Sequence, residues 1–158
     1  MKKIVVIIIF FLIAVFFFNA EAKAEFTIQV DRYSIDFGNL DLGEVRSDVP
    51  SDGLEITCTS DLGNPWELRI SNIQPLVHVY NPTQFIPDTN FRWYSVSTTG
   101  GGVLESEEKD FTQERVIYSA PLGEGTTGTR VVVKFKLIVP QMVQAGRYET
   151  RIIITMTE

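Results

Sequence analysis

Side chains capable of covalent chemistry are scarce in this chain. Its 158 residues include one histidine, His78, and one cysteine, Cys58. The two fall on different predicted elements, and no motif surrounds either. Nucleophilic catalysis needs a thiol or hydroxyl within hydrogen-bond reach of a base, and nothing in the spacing brings such a pair together; His78 reads as a loop or edge residue. Zinc sites of the His/Cys type are excluded by count. Calcium asks only for oxygens, and two acidic groups qualify by composition: Asp36, Asn39, Asp41 and Glu44, then Glu105, Glu107, Glu108 and Asp110. Neither has the spacing of an EF-hand loop, so the first is read as a capped turn and the second as a solvated loop. Paired carboxylates for glycoside hydrolysis would have to be picked from 20 acidic residues with nothing to guide the choice. The expectation is a protein that is not an enzyme, with no catalytic or metal-ligating residue and no cofactor.

Two features could serve binding instead. Trp93 and Tyr94 are adjacent in a predicted strand, so they face opposite sides. An exposed ring there would suit stacking on a glycan or insertion into a protein partner; the competing reading is that Trp93, like Trp66, packs in the core. Cys58 is in phase with Leu54 and Ile56 and reads as a buried thiol packing as a small hydrophobe. As a lone cysteine it permits no intramolecular disulfide, and its alternative is an intermolecular bridge.

The elements that position these residues begin after a targeting signal. Met1, Lys2 and Lys3 precede an apolar run from Ile4 to Phe18, and Ala22 and Ala24 supply an A-x-A ending. This predicts a secretory signal over residues 1–24; the run is shorter than the ~20 residues that span a bilayer. The mature chain, residues 25–158, is expected to be exported to a periplasm, cell surface or extracellular space, with no insertion into the membrane. Removing Lys2, Lys3, Lys23 and Glu21 takes the net charge from −6 to −8. That acidity argues against nucleic acid or an anionic membrane surface as partner, since both reward clustered Lys and Arg.

Residues 25–158 alternate with period two and show almost no helical periodicity. Phe26, Ile28 and Val30 alternate with polar neighbours, and Tyr33, Ile35 and Phe37 continue the pattern after a bend. Leu54 to Cys58, Trp66 to Ile70, Phe91 to Ser97 and Arg115 to Ser119 follow. The two best strands are Arg130 to Val139 and Arg147 to Met156, expected to pair with each other antiparallel. Gly and Pro fall between the runs. The longest irregular stretches are residues 73–90, with one short strand around Val77 to Tyr80, and 98–110. Seven to eight strands without intervening helices predict a single all-β domain, an Ig-like or Greek-key sandwich.

The ending PQMVQAGRYETRIIITMT and the stretches DFGNLDLGE (Asp36 to Glu44) and LEITCTSD (Leu54 to Asp61) resemble the spore coat protein U-like and archaic chaperone-usher pilin domains. Such pilins usually carry a disulfide, for which Cys58 has no partner here. The resemblance implies a surface fibre or coat subunit assembled by β-strand complementation, in which an extended segment completes a sandwich lacking one strand. It also implies a donor strand in Phe26, Ile28 and Val30, and a periplasmic chaperone gripping Tyr148, Ile152, Ile154 and Met156. The residues alone leave two alternatives open: Phe26 to Val30 is simply the first strand of a complete sandwich, and the domain is a stand-alone secreted or periplasmic binding module for a glycan or protein, working through its long loops.

Overall fold

The computed structural model describes residues 26–61 and 63–158; the predicted signal, residues 1–24, lies outside them. Twelve strands follow in order: β1 (Phe26–Val30), β2 (Val45–Ser60), β3 (Trp66–Asn72), β4 (Leu76–His78), β5 (Asn81–Ile86), β6 (Phe91–Thr98), β7 (Val103–Leu104), β8 (Lys109–Asp110), β9 (Arg115–Ala120), β10 (Thr129–Ile138), β11 (Tyr148–Glu149) and β12 (Ile152–Thr157). One sheet runs β1-β2-β10-β6-β8, the facing one β12-β3-β9-β7, and a small third sheet β11-β4-β5. Every pairing is antiparallel. This is the expected all-β sandwich, with more strands than the seven to eight expected because residues 73–90 and 98–110, read as mostly irregular, carry β4, β5, β7 and β8. No helix among the described residues is long and apolar enough to cross a membrane.

Alternation explains which side chains are inside. Along β10, Val131, Val133 and Phe135 are fully buried while Arg130, Lys134 and Lys136 point outward. Ile56 and Cys58 on β2, Leu68 and Ile70 on β3, Trp93 on β6 and Ile117 on β9 meet them from the surrounding strands. Phe91, Phe111 and Phe135 stack at one end, with Phe91 and Phe111 centroids 4.5 Å apart. Each such side chain contributes roughly 1.5–3 kcal/mol on burial. The long strand β2 bends at a bulge where its register against β10 shifts. Gly53 sits in that bend at φ +86°, and a Cβ there would overlap Val132 Cγ1, so only glycine fits the crossing.

In chain order, β1, β2, β10 and β6 occupy the places of strands A, B, E and D of an immunoglobulin-type sandwich, and β12 and β3 those of F and C. Among the described residues no strand lies in the position beside β12 that strand G would take.

Two expectations from the sequence are corrected. Arg130 to Val139 and Arg147 to Met156 do not pair with each other: β10 is held between β2 and β6, whereas β12 pairs with β3 in the opposite sheet. The connection through Pro140 and Gly146 is long enough to cross the ~10 Å between packed sheets, and β10 has both its edges satisfied without β12. Residues 33–37 form no strand. Asp31 diverts the chain, its backbone N–H donating to the Glu55 carbonyl and its carboxylate accepting from the Glu55 N–H. Ile35, Phe37 and Leu40 then pack on the core, with Phe37 edge-on to Phe91 at 6.0 Å, while Tyr33 is 97% exposed.

Candidate functional site

The feature that sets this sandwich apart is one of its long sides. β1 is the edge of the first sheet and β12 the edge of the second, and the two lie against each other across the same side of the molecule. Their inward residues are Phe26, Ile28 and Val30 from β1 and Ile152, Ile154 and Met156 from β12. All six pack on the core but remain only partly buried. One strand further in, the equivalent positions Ile56, Cys58, Leu68 and Ile70 are at most 1% exposed. The difference is one of neighbours: an inward side chain on an edge strand has covering atoms on one flank only. The seam is therefore an apolar slot bordered by two backbone edges.

The structure places Phe26 to Val30 in the chain's own first sheet, paired with β2 from Phe26 opposite Ser60 to Val30 opposite Ile56. In this arrangement the segment is a first strand, so its use as a donor would require it to leave β2. Tyr148 does not share an element with Ile152, Ile154 and Met156. It belongs to β11, which pairs with β4, and its hydroxyl donates to the Gln144 carbonyl at 2.7 Å.

Trp93 is fully buried, so ligand contact through it is ruled out; parity along β6 put Phe91, Trp93 and Ser95 inside together. Tyr94 lies on the outer face, partly buried, and its hydroxyl donates to Asp48. Burial and that carboxylate push the Tyr94 phenol up to about 12, while the hydrogen bond from Tyr94 holds Asp48 below the usual carboxylate range. Cys58 is fully buried, and burial pushes its thiol up to about 12; an intermolecular bridge through it would need the sheet to open.

Both acidic groups are committed to the protein's own cations and amides. Glu44 accepts from the Asp41 N–H and pairs with Arg46, whose guanidinium also donates to the Phe37 and Asn39 carbonyls, and Asp36 accepts from the Gly38 N–H. In the second group Glu108 pairs with Arg92 and Lys136, Glu105 and Glu107 with Lys109, and Asp110 accepts from Thr112. Hydrogen bonds from Lys136 and Arg92 hold Glu108 below its ordinary range.

Two polar centres were not legible in the sequence. His78, read there as a loop or edge residue, is buried at 4% exposure in β4. Its Nδ1 accepts from the N–H of Tyr80 at 3.1 Å and of Asn81 at 3.0 Å, and its Nε2 faces the Ala145 carbonyl at 3.3 Å. At the other end, Glu124 turns inward from between two glycines. It accepts from Tyr118 Oη at 2.6 Å, Thr129 Oγ1 at 2.9 Å and the Gly101 N–H at 2.9 Å. Tyr118 Oη in turn accepts from the Gly102 N–H. Burial and the Glu124 carboxylate push the Tyr118 phenol up to about 12. In the sequence, Gly123 and Gly125 mark a turn; only the fold shows that the residue between them ties two loops together. No protein-family model matches this sequence, and no curated protein matches it.

Proposed function

We propose that this chain is an exported, non-enzymatic structural protein, a pilin-like or coat-like subunit that assembles by accepting a β-strand along the open edge of β12. The observation that carries this reading is the half-buried row Ile152, Ile154 and Met156 facing Phe26, Ile28 and Val30 across an edge that no other described strand occupies. An added strand would hydrogen-bond to the free side of β12 and place alternate apolar side chains in the slot. Its source is another copy of the chain or a periplasmic chaperone. If Phe26 to Val30 is the donor, it is exchanged out of its pairing with β2 and into a neighbour. With Trp93 buried and Tyr94 bound to Asp48, the loop-binding module loses the aromatic contact on which it rested.

The test is an equilibrium urea melt of residues 25–158 with and without a peptide spanning residues 25–37. A ligand that binds only the folded state raises the midpoint by mass action. A rising midpoint with increasing peptide supports strand addition. An unchanged midpoint at saturating peptide, on a cooperatively folded monomer, would remove it.

A further inference from the structure

We propose that His78 is an acid-labile pin that holds the head of the C-terminal strand, so that mild acidification frees β11 and loosens the edge assigned above to assembly. The consequence for assembly rests on that assignment; the pin itself does not.

The geometry selects one neutral tautomer. Two backbone donors, the Tyr80 and Asn81 N–H groups, point at Nδ1. That nitrogen must present its lone pair, and the proton sits on Nε2, toward the Ala145 carbonyl. A second proton can bind only at Nδ1. Placing it there turns the acceptor into a donor facing two donors, breaks both bonds, and leaves a cation in a site that is 4% exposed. Imidazole is the side chain whose ordinary titration falls between about pH 5 and 8.

Among the described residues, no carboxylate is paired with the ring. The ring is met edge-on by Tyr148 from β11, centroids 5.1 Å apart, and by Tyr80 from the turn after β4. Tyr148 Oη is engaged with Gln144. The charged residues flanking Tyr148 are Arg147 and Glu149, which are exposed and paired with each other. Gly146 closes the site so tightly that a Cβ there would overlap the ring at Nε2.

The pin matters because of what it joins. β11 is held to β4 by the Tyr148–His78 and Glu149–Val77 pairings and by the Val79 N–H donating to the Arg147 carbonyl at 2.8 Å. Only Thr150 and Arg151 separate β11 from β12. Losing the turn at Tyr80 and Asn81 therefore frees β11 and leaves the start of β12 held by Thr150 Oγ1 donating to the Gln74 carbonyl and by the Ile73 N–H donating to the Arg151 carbonyl.

The experiment is amide hydrogen exchange on the folded monomer, read by NMR from about pH 7.5 to about pH 4.5 and corrected for intrinsic rates, on the native protein and on His78→Asn. The Asn Oδ1 can take the place of Nδ1 as acceptor but binds no proton in this range. In the native protein, protection at Tyr80, Asn81 and Val79 should fall at least about tenfold on acidification, while Val131 and Val133 in β10 stay protected. In His78→Asn the same amides should show no such fall. Unchanged protection in the native protein, or an equal fall in the variant, overturns the pin. Should the variant not fold, the native ring C–H resonances decide: they must titrate together with the Tyr80 and Asn81 amides, and a ring that titrates alone defeats the proposal. Repeating the peptide melt at both pH values separates the two ideas. A peptide that binds at neither pH removes the assembly reading and leaves the exchange result standing, whereas equal binding at both pH values removes the link between pin and edge.

Discussion

Ile154→Lys, set beside Leu68→Lys, tests whether the β12 edge is open. Leu68 and Met156 are cross-strand partners, and Ile154 stands opposite Ile70 on the same pair of strands, so both substitutions put an ammonium on the inner face of one sheet. Leu68 is fully buried, and a charge there has no route to water. The expected cost is the lost burial of roughly 1.5–3 kcal/mol plus the desolvation of an unpaired cation, enough to prevent folding of a domain stable by about 5–15 kcal/mol. Ile154 is only partly buried. Roughly two-thirds or more of the transfer term is at stake, about 1–2.5 kcal/mol, and a lysine can lay its stem along the slot while its head reaches solvent past the free edge. The Ile154→Lys monomer should therefore fold, with its melting temperature lowered by roughly 3–12 °C, while its response to the 25–37 peptide disappears, because an added strand would bury the ammonium. Thermal melts by circular dichroism, with and without peptide, read both effects. If Ile154→Lys is as disruptive as Leu68→Lys, the edge is covered and the reasoning fails; it fails equally if the variant still responds to peptide.

Alkali should unfold the protein in a defined window. Tyr94 and Tyr118 are each raised to about 12 in the folded state against about 10 in an unfolded chain, so the native state holds these protons more tightly. Their contribution is complete below about pH 10 and is lost as pH rises toward 12, seen as a urea midpoint that falls over that interval; a flat midpoint would contradict the burial of both phenols. Tyr118→Phe, which leaves the Gly102 N–H without its acceptor and takes one donor from Glu124, should cost about 1–3 kcal/mol at neutral pH and make the alkaline fall shallower. Cys58, buried and with its thiol raised to about 12, should react with a thiol reagent only at the rate of unfolding; immediate labelling in native buffer would show that the first sheet opens locally.

How far the fold could be read in advance follows from what alternation encodes. A period of two assigns each residue to a face, so the inner row Val131, Val133 and Phe135 and the strand bearing Cys58 were legible. The same rule put Trp93 and Tyr94 on opposite faces without saying which was inside, and the core's demand for large side chains next to Phe91 and Phe135 decided it. His78 gave no local signal, because its role comes from amides two and three residues ahead and a carbonyl 67 positions away. The acidic clusters were visible as composition; Arg46 and Lys109, which pair with them, are sequence neighbours, but Arg92 and Lys136 reach Glu108 from other strands.

The sequence by itself determined an all-β chain and the buried or exposed parity of its main strands, because both depend on side chains a few residues apart. It could not determine partnership. β10 and β12, separated only by the two-residue β11, have equally clear patterns, and only the packed structure sends them to opposite sheets. Ile154 and Leu68 are likewise indistinguishable by pattern, yet one is half-covered and the other sealed. Depth of burial is set by which strand lies alongside, a contact between distant parts of the chain, and so the open side on which the proposed function rests exists only at the level of tertiary structure.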